Sequence, residues 1–82
     1  MYYFYILQCL DNTLYCGYAK DVNLREQEHN SGNGSKYVRA HGGGKVVYSE
    51  KFETISQATK REAEVKKWSR IKKLNLINKP RI

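Results

Sequence analysis

Two phenols, a guanidinium and a carboxylate, on Tyr5, Tyr15, Arg25 and Glu62, are of the types that exchange protons, pair with anions and bind cations. They are scattered along the chain, so their chemistry depends on whether the backbone brings them together. Tyr3-Phe4-Tyr5-Ile6-Leu7 and Thr13-Leu14-Tyr15-Cys16-Gly17-Tyr18 are aromatic and branched, which favours two strands. Asp11 and Asn12 between them tolerate left-handed turn geometry. A two-residue loop would put Tyr5 and Tyr15 on opposite faces, because side chains alternate with a period of two. A three-residue loop, Leu10-Asp11-Asn12 with Asn12 left-handed, pairs Cys9 with Thr13, Leu7 with Tyr15 and Tyr5 with Gly17. The two tyrosines then share a face as diagonal neighbours, roughly 7–8 Å apart at the backbone, and Gly17 leaves the Tyr5 phenol uncrowded.

The hairpin feeds a first helix that starts at the N-cap residue Asp21 and stops at Asn30-Ser31-Gly32. Val22 and Leu24 are its only large aliphatics, and Glu26 occupies a slot where a core residue is expected. The sheet must therefore hold this helix. Arg25 and His29, four apart, project from one side. In a later helix Ala58, Glu62, Val65 and Ser69 form one stripe, which turns Glu62 toward the sheet and Glu64 elsewhere. A carboxylate withdrawn from water needs a partner. Glu62 either salt-bridges a basic side chain or binds a divalent cation in a cleft.

From Ser31 to Lys45 the chain reads as a glycine-rich connection with Lys36, Tyr37, Arg39 and His41 interleaved. Flexible backbone with cations and aromatics suits a phosphate-backbone clamp, and it equally suits an ordinary surface loop. Fifteen Lys and Arg against eight Asp and Glu give a formal charge of +7 and a pI near 9.5. That balance points to a polyanion, with nucleic acid ahead of membrane because no helix joins a basic face to a fully apolar one.

Lys45 to Phe52 reads as a third strand with Val46, Tyr48 and Phe52 toward one face. Thr54-Ile55-Ser56-Gln57 resembles a capping box for a helix from about Gln57 to Trp68. A further basic segment, Ser69 to Asn78, continues that helix or bends into a third, ended by Asn78-Lys79-Pro80. Eighty-two residues, 1–82, make one small domain with one modest core. No charged-then-apolar leader follows Met1 and no apolar run approaches the ~20 residues that span a bilayer, so a soluble cytoplasmic protein is expected. Cys9 and Cys16, on opposite faces in the three-residue register, read as small core residues of a reducing compartment.

The ordered set Tyr5, Tyr15-Cys16-Gly17, Arg25, Lys36-Tyr37-x-Arg39 and Ala58-x-x-x-Glu62-x-x-x-Lys66 resembles the GIY-YIG nuclease superfamily, nearest to its small stand-alone bacterial members. The first motif stands here as Tyr3-Phe4-Tyr5 and the second as Tyr15-Cys16-Gly17, and the match runs from Tyr3 to about Leu76. The resemblance implies an α+β fold, a three-stranded antiparallel sheet flanked by helices in the order β-β-α-β-α-α. It further implies a metal-dependent endonuclease of little sequence specificity, acting in DNA repair or processing, with DNA ahead of RNA. Tyr5 and Tyr15 would line the cleft, one of them taking the proton of an attacking water directly or through a relay. An unperturbed phenol, with a pKa of about 10, is a poor base at neutral pH, so surrounding cations would have to favour phenolate. Arg25 would hold the scissile phosphate. Glu62 would hold one Mg²⁺ or Mn²⁺, and His29 would hydrogen-bond a tyrosine or the water.

Each residue also fits a structural role: the tyrosines as core aromatics with hydroxyls at the rim, Arg25 as a solvated cation, His29 as a helix C-terminal charge partner. The chain departs from excision-repair relatives at Tyr18, where they carry a lysine. Glu26 and Gly42-Gly43-Gly44 suggest a looser fold than theirs. Backbone binding would use Lys36, Tyr37, Arg39, Lys66, Lys67, Arg70, Lys72 and Lys73, with affinity that falls steeply with salt. Specificity would come from substrate shape or a partner protein. The alternative function is an inactive basic nucleic-acid-binding module, or an adaptor subunit that becomes active with another chain.

Overall fold

The computed structural model describes residues 1–32 and 36–79. Pro80, the expected helix stop, lies outside the described residues. The elements are β1 (Tyr2–Cys9), β2 (Leu14–Ala19), α1 (Val22–Asn30), α2 (Lys36–Ala40), β3 (Gly44–Phe52), α3 (Ile55–Lys66) and α4 (Arg70–Asn78). The three strands form one antiparallel sheet in the order β2-β1-β3, so β2 is an edge. The expected α+β order is present, with the short α2 added inside the glycine-rich connection.

The hairpin has the three-residue loop. Asn12 is left-handed at φ 70°, the Cys9 amide donates to the Thr13 carbonyl at 2.8 Å, and Leu7 faces Tyr15 while Tyr5 faces Gly17. Because β1 is central, its side chains alternate into two cores, one on each face, rather than the single core expected. On one face Tyr5, Leu7, Cys9, Ala19 and Val38 are buried, with Tyr15, Val22 and Val46 against them. On the other, Phe4, Ile6, Cys16 and Val65 are buried under Trp68, Leu76 and Ile77. Cys9 and Cys16 thus occupy opposite faces, as the register requires. No described helix is long and apolar enough to cross a membrane.

Three expectations are corrected. Val46 and Tyr48 do not share a face: Ile6 pairs with Tyr48 but Leu7 with Val46, so Val47 is an extra residue and the bulge inverts the alternation. The stretch 31–45 is more than a connection, since Lys36–Ala40 is helical and buries Val38 completely. Nor do Glu26 and the glycine run loosen the fold. Glu26 Oε1 accepts the Val46 amide at 2.6 Å, tying α1 to the edge strand beside the bulge. Asn30 at the end of α1 exchanges two 2.9 Å bonds with the backbone of Gly44. Gly43 is left-handed at φ 79°, and a Cβ there would come within 2.5 Å of the Asn30 amide oxygen. The glycines are what that closure demands.

α3 begins with the complete Thr54–Gln57 capping box and α4 with Ser69 as N-cap. Both start within two residues of the expected positions. Arg61 holds α3 on β3 by a two-pronged contact with Glu50 at 2.9 and 3.1 Å, and also pairs with Glu64. This fixes the rotation of α3: Glu64 is spent on Arg61 and Glu62 is carried to the other side.

Candidate active site

The candidate residues meet at the β2 edge. Tyr5, Tyr15, Gly17, Tyr18, Arg25 and Glu62 line one hollow of 160 Å³. Tyr5, Tyr15 and Arg25 approach from the α1 side of the sheet, while Tyr18 and Glu62 approach from the α3 side. The two groups meet where Gly17 has no side chain: a Cβ there would stand 2.6 Å from the Tyr5 hydroxyl. The expected face for Glu62 is therefore right in that it turns inward, but it reaches the tyrosines around the sheet edge.

Tyr5 and Tyr15 share a face with ring centroids 6.4 Å apart. Tyr5 has no exposed surface, and its hydroxyl lies 2.9 Å from His29 Nε2. The His29 ring packs at 5.5 Å from Tyr15. His29 does not line the hollow. It is buried behind Tyr5, so of its two expected partners it takes the tyrosine.

Electrostatics bear on the proton-transfer role expected of the tyrosines. Burial, aided by Tyr15 and Glu62, pushes the Tyr5 phenol well above its ordinary value, and Arg25 opposes this only in part. Tyr5 is a neutral phenol here, not a phenolate. Burial, with the nearby Arg25, also lowers His29 below the usual histidine range, so its imidazole is neutral. Arg25 is half exposed and pairs with Glu28 at 3.2 Å, a contact one helical turn long and weak enough to be exchanged for an anion. Among the described residues no cation lies within 4.0 Å of the Glu62 carboxylate, so the salt-bridge alternative is not what is observed. No described cluster of three or more His, Cys, Asp or Glu could hold a metal, leaving Glu62 as a single hard oxygen donor.

The basic candidates separate. Lys66, Lys73 and Arg70 border cavities next to the hollow. Lys36 and Arg39 lie exposed on α2 and Lys67 caps α3, away from those cavities. Lys72 sits over the Trp68 ring at 4.2 Å. Tyr37 stacks on Tyr15 with centroids 5.6 Å apart. A larger cavity of 570 Å³ lies between α1 and β3, but it sets Lys20 and Lys45 against Asp21 and Glu26 and touches none of the candidate residues.

Sequence reasoning missed the pair that holds α2 in place. His41 Nδ1 donates to the Asp11 carboxylate, bridging the end of α2 to the hairpin turn. That bond, with those from Thr13, holds the Asp11 carboxyl down at about 2. A carboxyl lower in the fold than in the unfolded chain stabilises fully above its ordinary 3.8 and loses that contribution as pH falls toward 2. Thermal melts between pH 4 and 2 should therefore drop more steeply for the wild type than for Asp11→Asn. Parallel curves would mean that the pair is not formed in solution.

A chain whose residues 1–75 match the GIY-YIG catalytic domain model belongs to that family, and the domain is a nuclease fold. Such nucleases generally depend on a divalent metal. The particular relatives are small stand-alone proteins. A UPF0213 protein of Staphylococcus aureus is 50% identical over 76 residues, covering 93% of each chain. The solution NMR structure of the UPF0213 protein BH0048 of Bacillus halodurans superposes with a TM-score of 0.58 at 42% identity, covering 94% of this chain and 83% of that one. The protein EF2693 of E. faecalis gives 0.55 at 39% identity, covering 99% and 93%.

Proposed function

We propose that this chain is a divalent-metal-dependent endonuclease that hydrolyses nucleic-acid phosphodiester bonds with little sequence preference, on DNA ahead of RNA. The observation that carries the reading is the convergence of Tyr5, Tyr15, Arg25 and Glu62 on one hollow at the β2 edge. Among the described residues no helix is placed like a base-reading helix in a groove. Arg25 exchanges Glu28 for the scissile phosphate and stabilises charge on its oxygens. Glu62 suits one Mg²⁺ or Mn²⁺, because such ions take one or two carboxylates and complete their shell with water and phosphate oxygens. When bound, the ion supplies charge stabilisation at the leaving 3′ oxygen.

Neutral Tyr5 works as a relay. In the tautomer with Nε2 unprotonated, its hydroxyl donates to His29 while its oxygen accepts the proton of the attacking water, and no free phenolate accumulates. His29 is thus a positioning and proton-storing residue behind Tyr5. Its neutral form is required, so cleavage should fall as pH drops through a value below the ordinary 6.5. His29→Gln should cut kcat by about a hundredfold and remove that acid limb. An unaltered limb in the variant would send the proton elsewhere.

The test of the whole reading is incubation of the pure protein with supercoiled plasmid, single-stranded DNA, branched DNA and RNA, with and without Mn²⁺. Metal-dependent cleavage is expected. Binding without cleavage on every substrate would leave a nucleic-acid-binding module.

A further inference from the structure

Beyond the hollow the surface continues as a trough. The hollow shares Tyr15 with a cavity of 410 Å³ lined by Leu14, Cys16, Tyr37, Lys66 and Lys73. That cavity shares Leu14, Tyr37 and Lys73 with a third of 210 Å³, bordered by Thr13 and Arg70, toward the hairpin turn. The trough's lining is apolar and aromatic at Leu14, Tyr15 and Tyr37 and cationic at Lys66, Arg70 and Lys73. Among the described residues Lys66, Arg70 and Lys73 have no acidic group within 4.0 Å. Arg70 opens α4, and a cation at a helix N-terminus runs against the helix dipole, so it does not serve the helix. Tyr37 is stacked on Tyr15 and has His41 at 4.4 Å, yet 44% of its surface is open.

We propose that this trough is the track for an unpaired polynucleotide strand running from the hollow, with bases against the open surface of Tyr37 and phosphates against Lys66, Lys73 and Arg70. The preferred substrate is then single-stranded nucleic acid, or a single-stranded arm, over continuous duplex. A duplex encloses its base faces and offers only phosphates and sugars, which would use the cations but not the apolar and aromatic surface of Leu14, Tyr15 and Tyr37. An unpaired strand offers both, and base–aromatic stacking is tolerant of sequence. The inference rests on the nuclease reading for where the strand begins.

The test is fluorescence anisotropy with the Glu62→Ala protein, so that binding is read apart from cleavage. The probes are single-stranded DNA and RNA of about twelve nucleotides, the duplex of the same sequence, and a strand of the same length built of abasic sites. The length exceeds the roughly 4–16 nucleotides of one binding module only at its lower end, enough to fill the trough. The single strand should bind at least about tenfold tighter than duplex or abasic strand, and the abasic comparison needs no change to the protein. Tyr37→Leu should weaken the single strand roughly five- to a hundredfold and the duplex hardly at all. Lys73→Ala should weaken both and flatten the salt dependence by about 0.7 in slope on the single strand. Equal affinity for strand and duplex, or for normal and abasic strands, would overturn the proposal. Strand-selective binding by a wild-type chain that cuts nothing in Mn²⁺ would instead remove the nuclease reading and leave the trough standing.

Discussion

Glu62→Ala should reduce Mn²⁺-dependent nicking of plasmid by about a thousandfold or more while leaving the melting temperature within a few degrees of wild type. The activity loss follows from its being the one carboxylate of the hollow, since losing charge stabilisation of several kcal/mol at the leaving oxygen corresponds to that factor. The small stability effect follows from its surroundings. Glu62 is only partly buried, and among the described residues it makes no ion pair that its removal would orphan. The stripe that seats α3 is completed by Ala58 and Val65, which the substitution leaves alone. Arg25→Ala should behave alike, because its exposed ion pair with Glu28 contributes at most about 1 kcal/mol. The check is plasmid nicking against metal concentration, beside thermal melts of both variants. Wild-type rates in Glu62→Ala would end the hydrolytic assignment. A collapsed melt would mean that Glu62 supports the fold and is no free ligand.

Why that convergence could be read from the sequence, and where reading stopped, is physical. The hairpin was legible because a single left-handed residue, Asn12, fixes the register and the register fixes which face every side chain takes. The stripe on α3 was legible because periodicity acts along one helix. What joins separate elements was hidden. No pattern in Lys45–Phe52 announces that Val47 is skipped in the pairing, and this one insertion moves Tyr48 to the other core. Glu26 looks like a flaw in the apolar face of α1 until Val46 offers its amide. Glycines on both sides of Lys36–Ala40 disguise a helix whose hold on the fold comes from the buried Val38 and the distant Asp11. Charge state was the least legible property. Arg25 beside Tyr5 suggests phenolate, but burial outweighs it, and only packing reveals how much water the phenol has lost.

Gly17→Ala, a change of one methyl group on an edge strand, should be among the most damaging single substitutions in the chain. By backbone preference alone it ought to help, since Gly in a strand costs about 0.5–1 kcal/mol relative to Ala. Steric and polar effects run the other way and are larger. The new Cβ would stand 2.6 Å from the Tyr5 oxygen and 2.7 Å from its ring carbon Cζ, and the ring is fully buried. Forcing it to move overpacks the core for about 1–3 kcal/mol. It also breaks the 2.9 Å bond between the buried Tyr5 and His29 side chains, at a similar further cost. The net loss should be about 2–4 kcal/mol, a fall in melting temperature of roughly 8–32 °C, and cleavage should disappear even well below the new melting point because the proposed relay would be disconnected. Tyr5→Phe removes the atom nearest the intruding methyl, so the double variant should recover at least about 1 kcal/mol of the stability lost but none of the cleavage. Additive losses in that cycle, or a Gly17→Ala protein that melts and cuts like the wild type, would mean that the phenol does not lie across the strand, and the notch through which the two layers meet would have no basis.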